Sequence, residues 1–340
     1  MAAPARLETK NGVFEIAQPE PVMFGRLSVF YAAHRVGDQR PLLIKSFREL
    51  DASDASISSF YREIEALLML RHPNILEIVD YSPGNTTGEP PFLVLPLCKG
   101  GNLKELARRG DFMPLEGAIP LLRQIAAAID YAHLNGVIHG DIKPQNVLLS
   151  EDRRQVFLAD FGMAKYFEVT DRVVSQEFAG EGTSAYLSPE QLSDNKQTPR
   201  SDIYSFGVLA YQLLTGQMPY DITAPLYRQT HARVTGELID PRDANPAITE
   251  TVRAALLNAL AVLPKDRPAS ASEFCDMLLG ARPTKLVRKS MTTGRRSPSE
   301  FWKDLDATGR AGIITAAIAA IAGIGVALVQ IIPTLLLGKK

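Results

Sequence analysis

The sequence predicts an α+β chain of two unequal lobes followed by one membrane-spanning helix, and three observations carry that prediction. Residues 15–95 alternate short β-rich runs with a single helical stretch. Residues 96–280 are dominated by helical periodicity. Residues 311–337 form an uncharged run of 27 residues, long enough at ~1.5 Å per residue to cross a hydrocarbon layer of ~30 Å.

Residues 1–14 form an N-terminal extension with neither the charged nor the apolar region of a secretory signal. The β-rich runs that follow are SVFYAAHRV, PLLIKSF, ILEIVDY and PFLVLP, with SSFYREIEALLML as the one helix. Gly100 and Gly101 mark the change of texture, after which NLKELARR, LEGAIPLLRQIAAAIDYAHLNG, SDIYSFGVLAYQLLTG and ITETVRAALLNALAVL all carry helical spacing. Between these helices, residues 137–189 hold the short apolar runs VIH, NVLL and VFLADF broken by polar clusters, the texture of a loop-rich active-site floor. Residues 281–310 turn polar and basic, with five arginines and three lysines, and form a linker; residues 338–340 are a short tail.

A composition of 46% hydrophobic and 22% charged residues is that of a globular protein with a full core. The formal charge of −1 supplies no basic field, so nucleic acid is not an expected partner. Cys98 and Cys275 lack metal-ligand spacing and are too few for a disulfide framework; they are expected as separate thiols in a reducing compartment. The bilayer is an expected partner through residues 311–337. Arg295, Arg296, Lys303 and Arg310 before that run outnumber Lys339 and Lys340 after it, which places the lobes on the cytoplasmic side. Ala319, Gly323 and Ala327 recur at a spacing that lets two such helices approach, so a homodimer through this helix or through the lobes is a further expectation.

The chemistry-bearing residues come as an ordered set. HGDIKPQN places Asp141 two residues before Lys143 and five before Asn146; DFG follows at Asp160, and SPE ends at Glu190. Upstream, PLLIKSF carries Lys45, and Glu63 lies ten residues before Pro73 of RHPNIL. Phosphoryl transfer needs metal ions on the phosphates, a cation on the nonreacting phosphates and a carboxylate to orient the attacking hydroxyl, and this set supplies each. In the order and spacing of these motifs the chain resembles the eukaryotic-type serine/threonine protein kinases over residues 15–280.

That resemblance implies a bilobal protein-kinase fold, ATP and Mg²⁺ (with Mn²⁺ as an alternative) as cofactors, and protein Ser/Thr hydroxyls as acceptors. It implies that Asp141 orients the acceptor hydroxyl, that Asn146 and Asp160 hold the metal, and that Lys143 neutralises the transferring phosphate. Lys45 and Glu63 correspond to the family's lysine–glutamate pair. The nucleotide would be lined by Gly25, Phe30, Leu43 and Lys45 from the β-rich lobe. Leu95, Leu97, Cys98, Asn102 and Leu148 would complete its lining. Thr183 of GTSAYLSPE matches the threonine beside the acceptor site, Glu190 is expected to pair with Arg267 of KDRPAS as a structural ion pair, and Asp202 is expected to brace the catalytic loop.

The sequence departs from the family pattern in three places. The phosphate-covering loop retains one glycine, Gly25, within MFGRLSVF, so backbone amides there approach phosphate less freely. Phe30 and Leu43 stand where the family has Val and Ala over the adenine, which narrows that slot. Gly140 stands where many kinases carry an arginine that receives an activation-segment phosphate, as in the non-RD class. Three functions follow from these readings: an active protein kinase, a pseudokinase that signals by conformation, and a kinase-like enzyme acting on a small molecule. Lys143 and GTSAYLSPE favour a protein acceptor over a small one.

Overall fold

The structure is a computed structural model that describes residues 6–24, 28–38, 40–47, 54–84, 90–105, 112–166, 184–193 and 196–282. Gly25, Thr183, most of the 281–310 linker and the whole 311–337 run lie outside the described residues. Among the described residues no helix is long and apolar enough to cross a membrane.

The first lobe is an antiparallel sheet of β1 (Arg6–Thr9), β2 (Gly12–Ile16), β3 (Met23–Phe24), β4 (Ser28–Arg35), β5 (Leu42–Phe47), β6 (Asp80–Ser82) and β7 (Phe92–Pro96), with α1 (Asp54–Met69) inserted after β5. The strands run in the order β1-β2-β4-β5-β7-β6, and β3 pairs with β4. Phe30 opposes Lys45, Ala32 opposes Leu43, and on the next strand Leu93 and Leu95 oppose Lys45 and Leu43. Directly opposed residues project from the same face of a sheet. These six therefore share one face, while Phe14, Ala33, Leu42, Ile44, Phe92 and Val94 form a separate apolar core on the other.

The sheet begins at Arg6, ahead of residue 15 where the sequence alternation becomes visible. RLET offers a single large apolar residue, Leu7, whose partner Phe14 is the fully buried member of the pair. The β1–β2 hairpin also reaches the opposite edge of the sheet. Thr9 Oγ1 donates to Asp80 Oδ2 at 2.5 Å and Asn11 Nδ2 to Asp80 Oδ1 at 3.1 Å, so the sheet curls around its small core. The run ILEIVDY contributes only its last residues to a strand. Its earlier part ties the lobes together instead: Leu76 N donates to Leu158 O, and Leu158 N to Asn74 O.

The second lobe is built on α2 (Leu115–Leu134), followed by the short strands β8 (Val137–Ile138), β9 (Val147–Leu149), β10 (Val156–Leu158) and β11 (Lys165–Tyr166). β9 pairs with β10 and β8 with β11, both antiparallel. Then come α3 (Pro189–Ser193), α4 (Pro199–Thr215), α5 (Leu226–Thr235), α6 (Pro241–Ala244), α7 (Glu250–Ala259) and α8 (Ala271–Leu278). α4 is nearly all buried; Thr198 and Ser201 close a capping box at its start and Gly216, at φ +70°, ends it. The helix expected over NLKELARR is, within the described residues, one 3₁₀ turn at Leu103–Glu105. The main core runs from Ile64 and Leu67 of α1 through Leu158 and Phe161 into α2 and α4, so both lobes share one apolar body.

Candidate active site

Lys45, in the middle of β5, extends from the cleft face of the sheet to Glu63 on α1, with Nζ 2.6 Å from Glu63 Oε2 and 3.3 Å from Asp160 Oδ1. Three groups from a strand, a helix and a loop thus meet at one ammonium. Burial works against the Lys45 charge, but the carboxylates of Asp160 and Glu63 outweigh it and hold the amine protonated. The Lys45 charge in turn keeps Asp160 below the usual carboxylate range. Glu63 is 4% exposed whereas the Asp160 side chain is 46% exposed, so Glu63 anchors the pair and Asp160 faces the open cleft.

Asp160 holds a left-handed backbone, φ +66° and ψ +66°, which swings the next residue, Phe161, fully into the core. There its ring lies 4.5 Å from that of His139. Asp141 stands on the loop after β8, with Lys143 Nζ at 2.6 Å and Asn146 Nδ2 at 3.0 Å from its Oδ2. Asn146 Nδ2 also donates to the Asp141 carbonyl at 2.8 Å, which closes the loop on itself. Burial lifts the Asp141 carboxyl above the usual aspartate range and Asp160 adds to the lift, while Lys143 opposes it.

The loop is held from below by Asp202, in the first turn of α4. Its carboxylate accepts His139 N at 2.9 Å, Gly140 N at 2.8 Å and a bond shared with His133 Nε2 at 2.8 Å. On the hinge side, Gly100 packs so tightly on β9 that a Cβ would stand 2.0 Å from Ser150 O. Next to this contact Asn102 forms an antiparallel bridge with Leu148. Leu97 and Cys98 continue the chain from β7; Cys98 is a free thiol pushed up by burial to about 11, and Cys275 is free and buried.

Comparison with known proteins decides the family. Residues 21–280 match the sequence profile of the protein kinase domain. This chain belongs to the protein kinase domain family.

Curated relatives agree with that membership. The chain is 32% identical over 254 residues to serine/threonine-protein kinase PknB of Mycobacterium leprae, covering 74% of this chain and 40% of that protein. It is 35% identical over 289 residues to serine/threonine-protein kinase pkn2 of Myxococcus xanthus, covering 83% and 34%. With serine/threonine-protein kinase PknL of Mycobacterium tuberculosis it shares 38% over 196 residues, covering 58% and 48%. The matched part spans less than half the length of each relative.

The kinase site offers hard oxygens for a divalent cation. The Asp160 carboxylate faces the cleft, and Asn146 spends its NH₂ on Asp141, which leaves its carbonyl oxygen as the second donor. Among the described residues no group of three or more His, Cys, Asp or Glu side chains is gathered to hold a metal. One carboxylate and one amide oxygen fit Mg²⁺, which binds through few protein ligands and completes its shell with phosphate and water.

Several supporting residues went unnoticed in the sequence. Gln191 on α3 accepts from Ser188 N and Oγ and donates to Gly140 O at 3.3 Å; Gln197 Nε2 lies 3.4 Å from Met163 O. Arg200 donates to the carbonyls of Arg267 and Pro268. Glutamines and a first-turn arginine carry no pattern of their own in a single sequence, and only the contact makes them visible.

Proposed function

We propose that this chain is an ATP- and Mg²⁺-dependent protein serine/threonine kinase anchored to a membrane with its lobes in the cytoplasm. The observation that carries the activity is the joint placement of Lys45 on Glu63 and Asp160 with Asp141 held by Lys143 and Asn146. Lys45, kept cationic, binds nonreacting phosphate; Asp160 and Asn146 would hold Mg²⁺, which supplies neutralising charge on the phosphates when bound. Asp141, held by His139, Lys143 and Asn146 of its own loop, accepts the hydrogen of a Ser or Thr hydroxyl and aims its oxygen at the γ-phosphoryl group. Lys143 meets the charge that develops there. The anchor rests on the uncharged run 311–337 and the basic residues before it.

The test is transfer from radiolabelled ATP by the full chain beside its Asp160→Asn variant, read on Ser and Thr after acid hydrolysis. Label in the former alone supports the reading. No label from a folded chain that binds ATP supports the second reading, a pseudokinase. Phe30 and Leu43 favour that alternative, because both project from the cleft face beside Lys45, where bulk narrows the adenine slot.

A further inference from the structure

Gly140 occupies the turn of the catalytic loop immediately before Asp141, with φ +80°. Its surroundings close on it from three directions. Its N–H donates to Asp202 Oδ1 at 2.8 Å, its carbonyl accepts from Gln191 Nε2 at 3.3 Å, and the end of Gln197 lies against its Cα. A Cβ at this position would stand 1.5 Å from Gln197 Nε2 and 2.6 Å from its Cδ. The space beside the loop is thus filled by the Gln197 amide, which points on to Met163 O at 3.4 Å, just beyond Asp160, Phe161 and Gly162. Gln191 works in parallel. Its Oε1 accepts Ser188 N at 3.0 Å and Ser188 Oγ at 2.9 Å, which links the same glycine to the chain entering α3.

We propose that Gln191 and Gln197 are positioning residues that form a neutral amide clasp, tying the loop of Asp141 to Met163 on one side and Ser188 on the other. The inference rests on the kinase reading above and names how that site is held in order. Neither amide ionises, and neither contact needs a phosphate. A clasp of this kind holds the loop whether or not the chain between Met163 and Ser188 is phosphorylated, whereas an arginine at position 140 would need an anionic partner to do the same. Gly140 is part of the device, because the left-handed φ and the seat of Gln197 both exclude a side chain.

The experiment uses the full chain. Gln197→Met keeps a side chain of similar length against Gly140 and deletes the donor to Met163; Gly140→Ala pushes the amide away by a second route. Lys196→Ala, at an exposed neighbouring position, is the control. Hydrogen–deuterium exchange over residues 160–164 is expected to quicken roughly 3- to 10-fold in the first two variants, the equivalent of one neutral hydrogen bond, and to stay unchanged in the control. In Gln197→Met, kcat for peptide phosphorylation is expected to fall by about the same factor while KM for ATP stays within about twofold. Phosphatase treatment of the unaltered chain, with removal verified by mass, is expected to leave kcat within about twofold. Unchanged exchange in both variants, or collapse of the unaltered chain's activity on dephosphorylation, overturns the clasp. Absence of phosphoryl transfer in every form overturns the kinase reading instead, and the exchange result still decides the clasp.

Discussion

Arg267 grips Glu190 with both ends of its guanidinium fork, Nη1 to Oε1 and Nη2 to Oε2, each at 2.7 Å. The same side chain donates to the carbonyls of Ala261, Arg200 and Val262 and lies 4.9 Å over the ring of Tyr204. It is 3% exposed, so its charge depends on these partners for solvation. The pair joins the start of α3 to the loop before α8.

Removal of one partner leaves the other charge buried, which typically costs about 3–5 kcal/mol. Glu190→Ala is therefore expected to lower unfolding stability by about 3 kcal/mol in urea titration. The pH dependence follows from the same contact. Burial pushes the Glu190 carboxyl up, but the Arg267 bonds and charge outweigh it, so its folded pKa lies below the ordinary 4.5. The unfolded chain then takes up protons first, and the stabilisation is complete above the unfolded pKa of 4.5 and lost as pH falls through the folded value. The difference in stability between the unaltered chain and Glu190→Ala should shrink across that acid window; a constant difference would count against the assignment.

Asp141 is the opposite case, a carboxyl lifted by burial with Lys143 resisting the lift. Protonated, it no longer accepts the hydroxyl hydrogen, so kcat is expected to fall on the acid side at a pH above the ordinary 3.8. Lys143→Met removes the opposing charge and should move that acid limb further up. An unmoved limb in the kcat profile would mean that some other group sets it.

Asp80 tests whether the first hairpin belongs to the catalytic body. It is 4% exposed and accepts from Thr9, Asn11 and the backbone of Tyr81. Asp80→Ala strands those donors, and a loss of about 1–3 kcal/mol is expected in thermal or urea unfolding. The equivalent loss in a chain that also lacks residues 1–16 should be smaller, because Thr9 and Asn11 have gone and only the Tyr81 N–H still donates to Asp80.

The parts of this fold that were legible in the sequence are those written in local periodicity or in ordered motifs. The alternation of PLLIKSF reappears as β5, with Leu42 and Ile44 in one core and Leu43 and Lys45 facing the cleft. The spacing of Asp141, Lys143 and Asn146 reappears as three side chains within hydrogen-bond reach. What stayed hidden depends on distant partners. β1 holds one apolar anchor and is stabilised by Asp80, 71 positions from Thr9. Gly140 is visible as a missing arginine, but the glutamines that fill its surroundings come from 51 positions or more away. ILEIVDY looks like a strand, yet its first half spends its backbone bonds on the second lobe.

The proposed anchor is tested by fractionation. The full chain is expected to pellet with membranes and to resist carbonate, since the proposed span of 27 uncharged residues would pair its backbone polar groups internally within the hydrocarbon layer. A chain ending at Arg310 is expected in the soluble fraction. Protease added outside intact spheroplasts should leave the lobes uncut, in line with the basic residues that precede the run. Release by carbonate, or cleavage of the lobes from outside, would remove the anchor or its orientation.

The adenine slot gives the most direct test of whether this cleft binds nucleotide well. Leu43 stands between Ala32 and Leu95 on adjacent strands, on the face that also carries Phe30 and Lys45. It is only partly buried, and it lies outside the small apolar core formed by Leu42 and Ile44 behind the sheet. Truncation at this position therefore opens the cleft without hollowing that core. Leu43→Ala is expected to tighten ATP binding, by up to about tenfold if relief of overpacking recovers ~1 kcal/mol or slightly more, and to admit adenine analogues with added bulk. Leu42→Ala, one residue away on the opposite face, should instead destabilise the lobe by about 2–5 kcal/mol and leave analogue selectivity alone. Calorimetric titration of both variants beside the unaltered chain separates the two faces. Weaker ATP binding in a stable Leu43→Ala chain would show that the leucine grips the adenine and does not crowd it.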